Sequence, residues 1–376
     1  MEIRRIHSFL FVIFLGACFQ NTLIAQNEKP VLKLETGKDI FEAACIGCHG
    51  PGAKGQPQST LGFEPPSTFP DFSDCLGSAR EKTYDWRAII RDGGPARGFV
   101  EIMPAFGDAL STEQIEQVMQ YLRQQCTEPA WPQGEMNFPR PLITEKAFPE
   151  DEWVLETGVN ADTPREITTV LIYEKRFGAR NQLEFAVPFN FLHRDNTSWI
   201  GGVGDFLIGY KRTLFHSPNT GSILSWQGEV KLPTGNRLRS FGSGLTIFET
   251  FAAFGQRLPG RSFVQIQSGT ELPSDSKQVP RAAFFRTALG KTFAANQGFG
   301  RIWTPMVEFI ADREFETAAR THWDLVPQMQ VSLSKRQHVF ANFGVRMPAN
   351  NRTGRGSEFM IHVLWDWFDG GLREGW

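Results

Sequence analysis

In Trp323-x-Leu325-x-Pro327-x-Met329-x-Val331-x-Leu333 every second residue is apolar, and Asp324, Gln328, Gln330 and Ser332 lie among the intervening positions. Side chains that alternate between two faces in this way belong to a strand with one greasy side and one wet side. The same alternation recurs in Leu183 to Phe191, Phe206 to Leu214, Leu224 to Leu232, Trp303 to Ala311, Val339 to Met347 and Phe359 to Trp367. Weaker cases near Val154, Leu171, Ile247, Val264 and Phe285 bring the count to about twelve, an even number. Two architectures accommodate such a set: an antiparallel barrel with lipid outside and a polar lumen, or a soluble sandwich.

Connection lengths separate the two. Gly178 to Asn181, His216 to Gly221, Leu258 to Arg261, Ala294 to Gly298 and Lys335 to Gln337 are short. Between them come longer polar links: Asn160 to Glu166, His193 to Gly202, Thr234 to Gly244, Pro273 to Pro280, Ala311 to Arg320 and Ala349 to Ser357. Short turns at one end and long loops at the other are the habit of a membrane barrel, with the short-turn end in the periplasm. By this phase Asp205, Lys211, Glu229, Lys231, Glu308, Asp324 and Arg346 point inward and hydrate and brace a polar lumen. His193, His216, His322, His338 and His362 are scattered without metal-ligand spacing.

The first third is a different kind of chain. All five cysteines (Cys18, Cys45, Cys48, Cys75, Cys126) lie there, whereas most of the 33 phenylalanines and ten tryptophans come after Asp151. A net charge of -2 without a basic run excludes a nucleic-acid partner. Residues 1–26 read as a signal peptide: Arg4 and Arg5, then the apolar stretch Phe9 to Phe19, then a small-residue site at Leu23-Ile24-Ala25. Leu15-Gly16-Ala17-Cys18 offers lipoprotein processing at Cys18 as the alternative. No later segment approaches the roughly 18 uninterrupted apolar residues of a membrane helix. In an oxidising compartment Cys75 and Cys126 could pair as a disulfide, or remain two free thiols. Thr127 to Glu150, with five prolines, reads as a semi-stiff linker. The chain thus divides into a helical domain at 27–128, a linker at 129–150 and a barrel at 151–376.

A helix over Glu35 to Ala44 runs into Cys45-Ile46-Gly47-Cys48-His49. Two thiols three positions apart reach the two vinyl groups of one porphyrin, and the adjacent imidazole then faces the iron. A zinc site would need a fourth ligand, which only Cys75 or Cys126 could supply, and a redox dithiol would want a βαβ context. Gly37-x-x-x-Phe41 puts a small residue and an aromatic on one helical face. Ser111-Thr112-Glu113-Gln114 is a capping box, followed at helical spacing by Ile115, Val118, Met119 and Leu122. Together with Ile102-Met103-Pro104-Ala105-Phe106-Gly107, these features resemble class I c-type cytochromes over about 100 residues. The resemblance implies one covalently bound haem c on Cys45 and Cys48, with His49 and Met103 as axial ligands of the iron. Met119 lies on an apolar stripe and is expected in the core. Arg87, Arg91 and Arg97 could reach the haem propionates, although solvated positions are the default expectation.

The phrases Gly202-Val203-Gly204-Asp205-Phe206-x-Ile208-Gly209-Tyr210-Lys211 and Lys231-Leu232-Pro233-Thr234-Gly235 resemble outer-membrane channel proteins of the phenol-degradation transporter type. The chain departs from that pattern in its scarcity of tyrosine and in running on from Phe368 to Trp376. The expected fold class is therefore multidomain: a small all-α class I cytochrome c domain followed by an antiparallel outer-membrane β-barrel of about twelve strands. In layout it resembles the monohaem cytochrome-porin fusions of iron-oxidising bacteria. That resemblance implies electron transfer rather than enzyme chemistry, outer-membrane lipid around the barrel, and a periplasmic or extracellular redox partner, with Fe(II) as one candidate donor. A solute channel with an accessory haem domain is the alternative. The haem domain is expected beneath the pore at the short-turn end.

Overall fold

The computed structural model describes residues 34–64, 69–160, 165–193, 198–294 and 301–376. The expected signal peptide, Cys18 with its alternative processing, and parts of the links after Asn160, His193 and Ala294 lie outside the described residues.

The helical domain is built on α1 (Gly37–Ala44), α2 (Ile46–His49), α3 (Cys75–Ser78), α4 (Thr83–Asp92) and α5 (Thr112–Arg123). α1 starts two residues later than the expected Glu35, because Thr36 and Asp39 form a reciprocal capping box there. Ser111 and Gln114 do the same for α5. α1 crosses α5 at Gly37, where a Cβ would sit 1.9 Å from the Gln117 carbonyl oxygen, so only glycine permits the approach. One turn on, the Phe41 ring lies 5.1 Å from that of Tyr121. Ile40, Phe41, Trp86, Ile115, Val118 and Met119 form the centre of the core. Met119 is thus a core residue, as expected. Cys75 and Cys126 are joined as a disulfide, tying α3 to the chain just beyond α5.

The rest is a closed antiparallel barrel. Its segments are β1 (Glu152–Asn160), β2 (Arg165–Phe177), β3 (Asn181–His193), β4 (Trp199–Val203), β5 (Phe206–Ser217), β6 (Ser222–Leu232), β7 (Ile247–Leu258), β8 (Ser262–Pro273), β9 (Ala282–Lys291), β10 (Phe293–Ala294), β11 (Ile302–Glu314), β12 (His322–Ser332), β13 (Val339–Pro348) and β14 (Glu358–Asp366). β4 and β5 both pair with β3, and β9 and β10 both pair with β11, so each couple is one interrupted stave and the barrel has twelve. β1 pairs with β14 and closes the ring. All twelve expected strands are present. The expected link from His193 to Gly202 is shorter than read, because Trp199–Val203 continues the ladder on β3. Leu171, Phe191, Trp226, Phe248, Phe309 and Ile361 are among the apolar side chains exposed around the outside. No described helix is long and apolar enough to cross a membrane.

The polar, hydrated lumen that the strand pattern suggested is also occupied by a segment of the chain. Lys211, Glu229, Glu308 and Asp324 do point inward and are buried, and Arg346 reaches Asp324 at 2.6 Å. Lys231 pairs with Glu249 at 3.2 Å. Asp205 instead sits at the break between β4 and β5, where it accepts from Gly235 N at 3.0 Å and Ser243 N at 2.7 Å and pins the long loop before β7. What fills the bore is the stretch expected to be a semi-stiff linker. From Met136 to Glu150 it threads the lumen, with Met136, Phe138 and Phe148 packed on Ile223, Phe251 and Phe263. Its backbone groups are answered by barrel side chains: Leu142 N to Glu308 at 3.0 Å, Glu145 N to Gln267 at 3.1 Å and Glu150 N to Gln182 at 2.6 Å. An extended chain buried in a barrel needs such partners for every amide. Proline suits it, because each proline removes a donor that would otherwise need one.

Arg140 explains the other wall. Glu174 and Glu184 lie directly opposite each other on β2 and β3 and both point inward, a like-charge pair that destabilises a sheet when left alone. Arg140 enters from the inserted segment and binds Glu174 and Glu152 at 2.8 Å each and Glu145 at 3.3 Å. One cation of the plug thus binds Glu174, while Glu184 accepts from Gln227 at 3.1 Å.

Candidate haem-binding site

Cys45 ends α1 and opens α2; its amide donates to the Phe41 carbonyl at 2.8 Å, and its carbonyl accepts from His49 N at 2.9 Å. The single turn of α2 carries Cys48 and His49 to the mouth of a cavity of about 270 Å³. Cys45, Cys48, His49 and Met103 all line it, with Phe72 and Trp86 among its apolar walls. Met103 comes from the loop after α4. That loop is anchored on both flanks: Gly94 N donates to the Met103 carbonyl at 3.0 Å, and Phe106 N to the Ile90 carbonyl at 2.9 Å.

Both thiols are unbonded. Burial, reinforced by Cys48, pushes the Cys45 thiol up to about 11, so it is not a standing thiolate. Burial also holds His49 below the usual imidazole range, in the neutral form that ligates a metal. Its ring stacks on Phe69 at 5.2 Å, and its buried Nδ1 has no hydrogen-bond partner among the described residues. The zinc alternative loses its fourth ligand, because Cys75 and Cys126 are bonded to each other. A neutral imidazole, a thioether and two unbonded thiols around one apolar cavity fit a covalently held haem.

The three arginines divide. Arg87 pairs with Glu116, and Arg91 with Asp92. Arg97 departs from the solvated default: it is 1% exposed, bound to Asp85 at 2.8 Å, and lines the cavity. Two cavity-lining residues had no sequence signal. Arg336, in the turn between β12 and β13, and Asp369, after β14, reach the same cavity from the barrel. They do so because the helical domain rests on the short-turn end. There Arg80 binds Asp151 and stacks 4.0 Å from the Phe368 ring, and Gly134 N donates to the Ala79 carbonyl at 2.8 Å. The chain beyond Phe368, an oddity in the sequence, completes this seat: a Cβ on Gly98 would lie 2.5 Å from the Gly375 Cα.

Residues 33–122 match the family model described as cytochrome C oxidase, cbb3-type, subunit III. No curated protein matches the chain at a significant level. Among solved structures, an outer membrane channel from Pseudomonas putida F1 is similar over 61% of this chain and 99% of its own, at 14% identity and a TM-score of 0.39. The KdgM porin in complex with disordered oligogalacturonate is similar over 57% of this chain and 98% of its own, at 8% identity and 0.37. The NanC porin covers the same shares, at 9% identity and 0.39. The chain thus joins a helical domain, matched over residues 33–122 by a c-type cytochrome family model, to a closed twelve-strand antiparallel barrel with an apolar exterior.

Proposed function

We propose that the protein is a monohaem c-type cytochrome anchored in the outer membrane by its barrel, exchanging electrons at the periplasmic face. The convergence of Cys45, Cys48, His49 and Met103 on one apolar cavity carries this reading. Cys45 and Cys48 would hold one haem c through thioethers, and His49 and Met103 would ligate its iron. So bound, the group supplies a one-electron couple with no open site for substrate, which is the chemistry of a carrier. The short-turn end, where the haem domain sits, is the periplasmic end in barrels of this kind.

The filled lumen supports a periplasmic redox partner as the immediate exchange partner. An extracellular donor such as Fe(II) stands across an apolar band of about 25 Å and needs a further carrier or an opening of the plug to reach the haem. The channel alternative is disfavoured by the same plug. Protease added to intact cells tests the orientation: it should cut the loop from Thr234 to Gly244 and spare the haem domain. Loss of the haem domain with that loop intact would contradict the periplasmic assignment, and solute flux at open-porin rates in liposomes would support the channel instead.

A further inference from the structure

The haem domain does not close its own cavity. Arg97 on one side and Arg336 of the barrel on the other both line it, and each is buried with a donor left over. Arg97 donates Nε to Asp85 at 2.8 Å and Nη1 to the Ala96 carbonyl at 3.3 Å; its Nη2 has no partner among the described residues. Arg336 has a side chain 9% exposed. It donates Nη2 to the Gly98 carbonyl at 3.2 Å, and Nη1 to the Asp369 carbonyl at 3.3 Å and the Glu374 carboxylate at 2.8 Å. Its guanidinium lies 4.4 Å from the centre of the Phe99 ring, and its Nε has no partner among the described residues.

A buried guanidinium N–H without an acceptor is costly, so two of them lining one cavity from two domains call for anionic acceptors within it. Glu81, Asp85 and Asp369 line the same region. They would repel an incoming carboxylate unless both guanidiniums offset them. A haem carries two carboxylates on one edge. We propose that Arg336 of the barrel, together with Arg97, receives the haem propionates, so that the barrel completes the haem site and helps set its potential. This rests on the reading of the cavity as the haem site.

A fixed positive charge beside the haem favours the reduced form, so removing it lowers the potential. In the purified full-length chain with haem attached, Arg336→Gln should raise the oxidised-to-reduced ratio at a fixed applied potential about tenfold, or about 59 mV for one electron. It should also alter the propionate bands in the resonance Raman spectrum. Arg336→Lys, which keeps the charge, should restore most of the potential. Arg87→Gln, which removes a positive charge from the same domain at a residue paired with Glu116 and outside the cavity, should leave it nearly unchanged. An Arg336→Gln protein that carries haem at the wild-type potential would overturn the inference, as would an Arg87→Gln shift of equal size. A wild-type chain without covalent haem would overturn the site reading and this inference together.

Discussion

Thr144, midway along the chain threaded through the barrel, donates both its backbone N–H and its hydroxyl to one carboxylate oxygen of Glu308 on β11, at 2.6 and 2.5 Å. The other oxygen of Glu308 accepts the amides of Leu142 at 3.0 Å and Ile143 at 3.1 Å. One side chain of the wall thus holds three successive amides of the plug. Glu308→Ala would leave several buried donors unpaired at roughly 1–3 kcal/mol each. The expected outcome is a plug that loosens: planar-bilayer conductance well above wild type, with the haem spectrum unchanged. Equal conductance in the two proteins would mean that Glu308 does not hold the plug.

Met103 is the proposed distal ligand, and neither Met119 nor Met136 lines the cavity. Met119 is locked in the helical core and Met136 in the cluster inside the barrel. Met103→Ala should therefore open an axial position that no neighbouring methionine refills. The optical spectrum should turn high-spin or accept added imidazole, and the potential should fall. An unaltered low-spin spectrum would remove Met103 from the site.

The disulfide between Cys75 and Cys126 closes a separation of 51 residues around the helices that carry the cavity. Cys75→Ser with Cys126→Ser should destabilise the haem domain by about 2–4 kcal/mol, chiefly by freeing the unfolded chain. Denaturant titration followed at the haem absorbance would measure it, and an unchanged midpoint would contradict it.

How much of this was legible in the sequence depends on how local each signal is. The strands were readable because period-two alternation needs only neighbouring residues. Cys45, Cys48 and His49 were readable because their spacing is itself the chemistry. The plug is hard to see in the sequence because its prolines read as linker, although Met136-x-Phe138-x-Arg140-x-Leu142-x-Thr144 also buries every second residue. Arg336 and Asp369 left no trace, since they meet the haem cavity only after the barrel has closed and the tail has folded across its short-turn end. Arginine is usually solvated, and at Arg97 the cavity overrides that default.

Glu81 of the haem domain and Asp369 of the tail are hydrogen-bonded carboxyls at the domain junction. Burial first, then the charge of Asp85, pushes Glu81 up from its usual 4.5 to about 7. A raised carboxyl means that the folded form holds the proton more tightly. The stability it contributes is fully present below about pH 4.5, falls as the pH rises, and is lost once the pH passes about 7. Thermal melts of the haem domain between pH 4.5 and 8 should show this decline, and Glu81→Gln should flatten it. A wild-type melting temperature that rises through that window would contradict the assignment.

The central claim is that one haem is bound covalently at Cys45 and Cys48 in a chain that also forms the barrel. Peptide mass spectrometry of the purified full-length protein, expressed with haem-attachment machinery, tests it most directly. The prediction is a single haem adduct on the peptide containing Cys45 and Cys48, absent from the Cys45→Ser, Cys48→Ser double variant, which should also lose its haem stain on a denaturing gel. An unmodified peptide in the wild type, or haem that stays bound through denaturation in the double variant, would contradict the account.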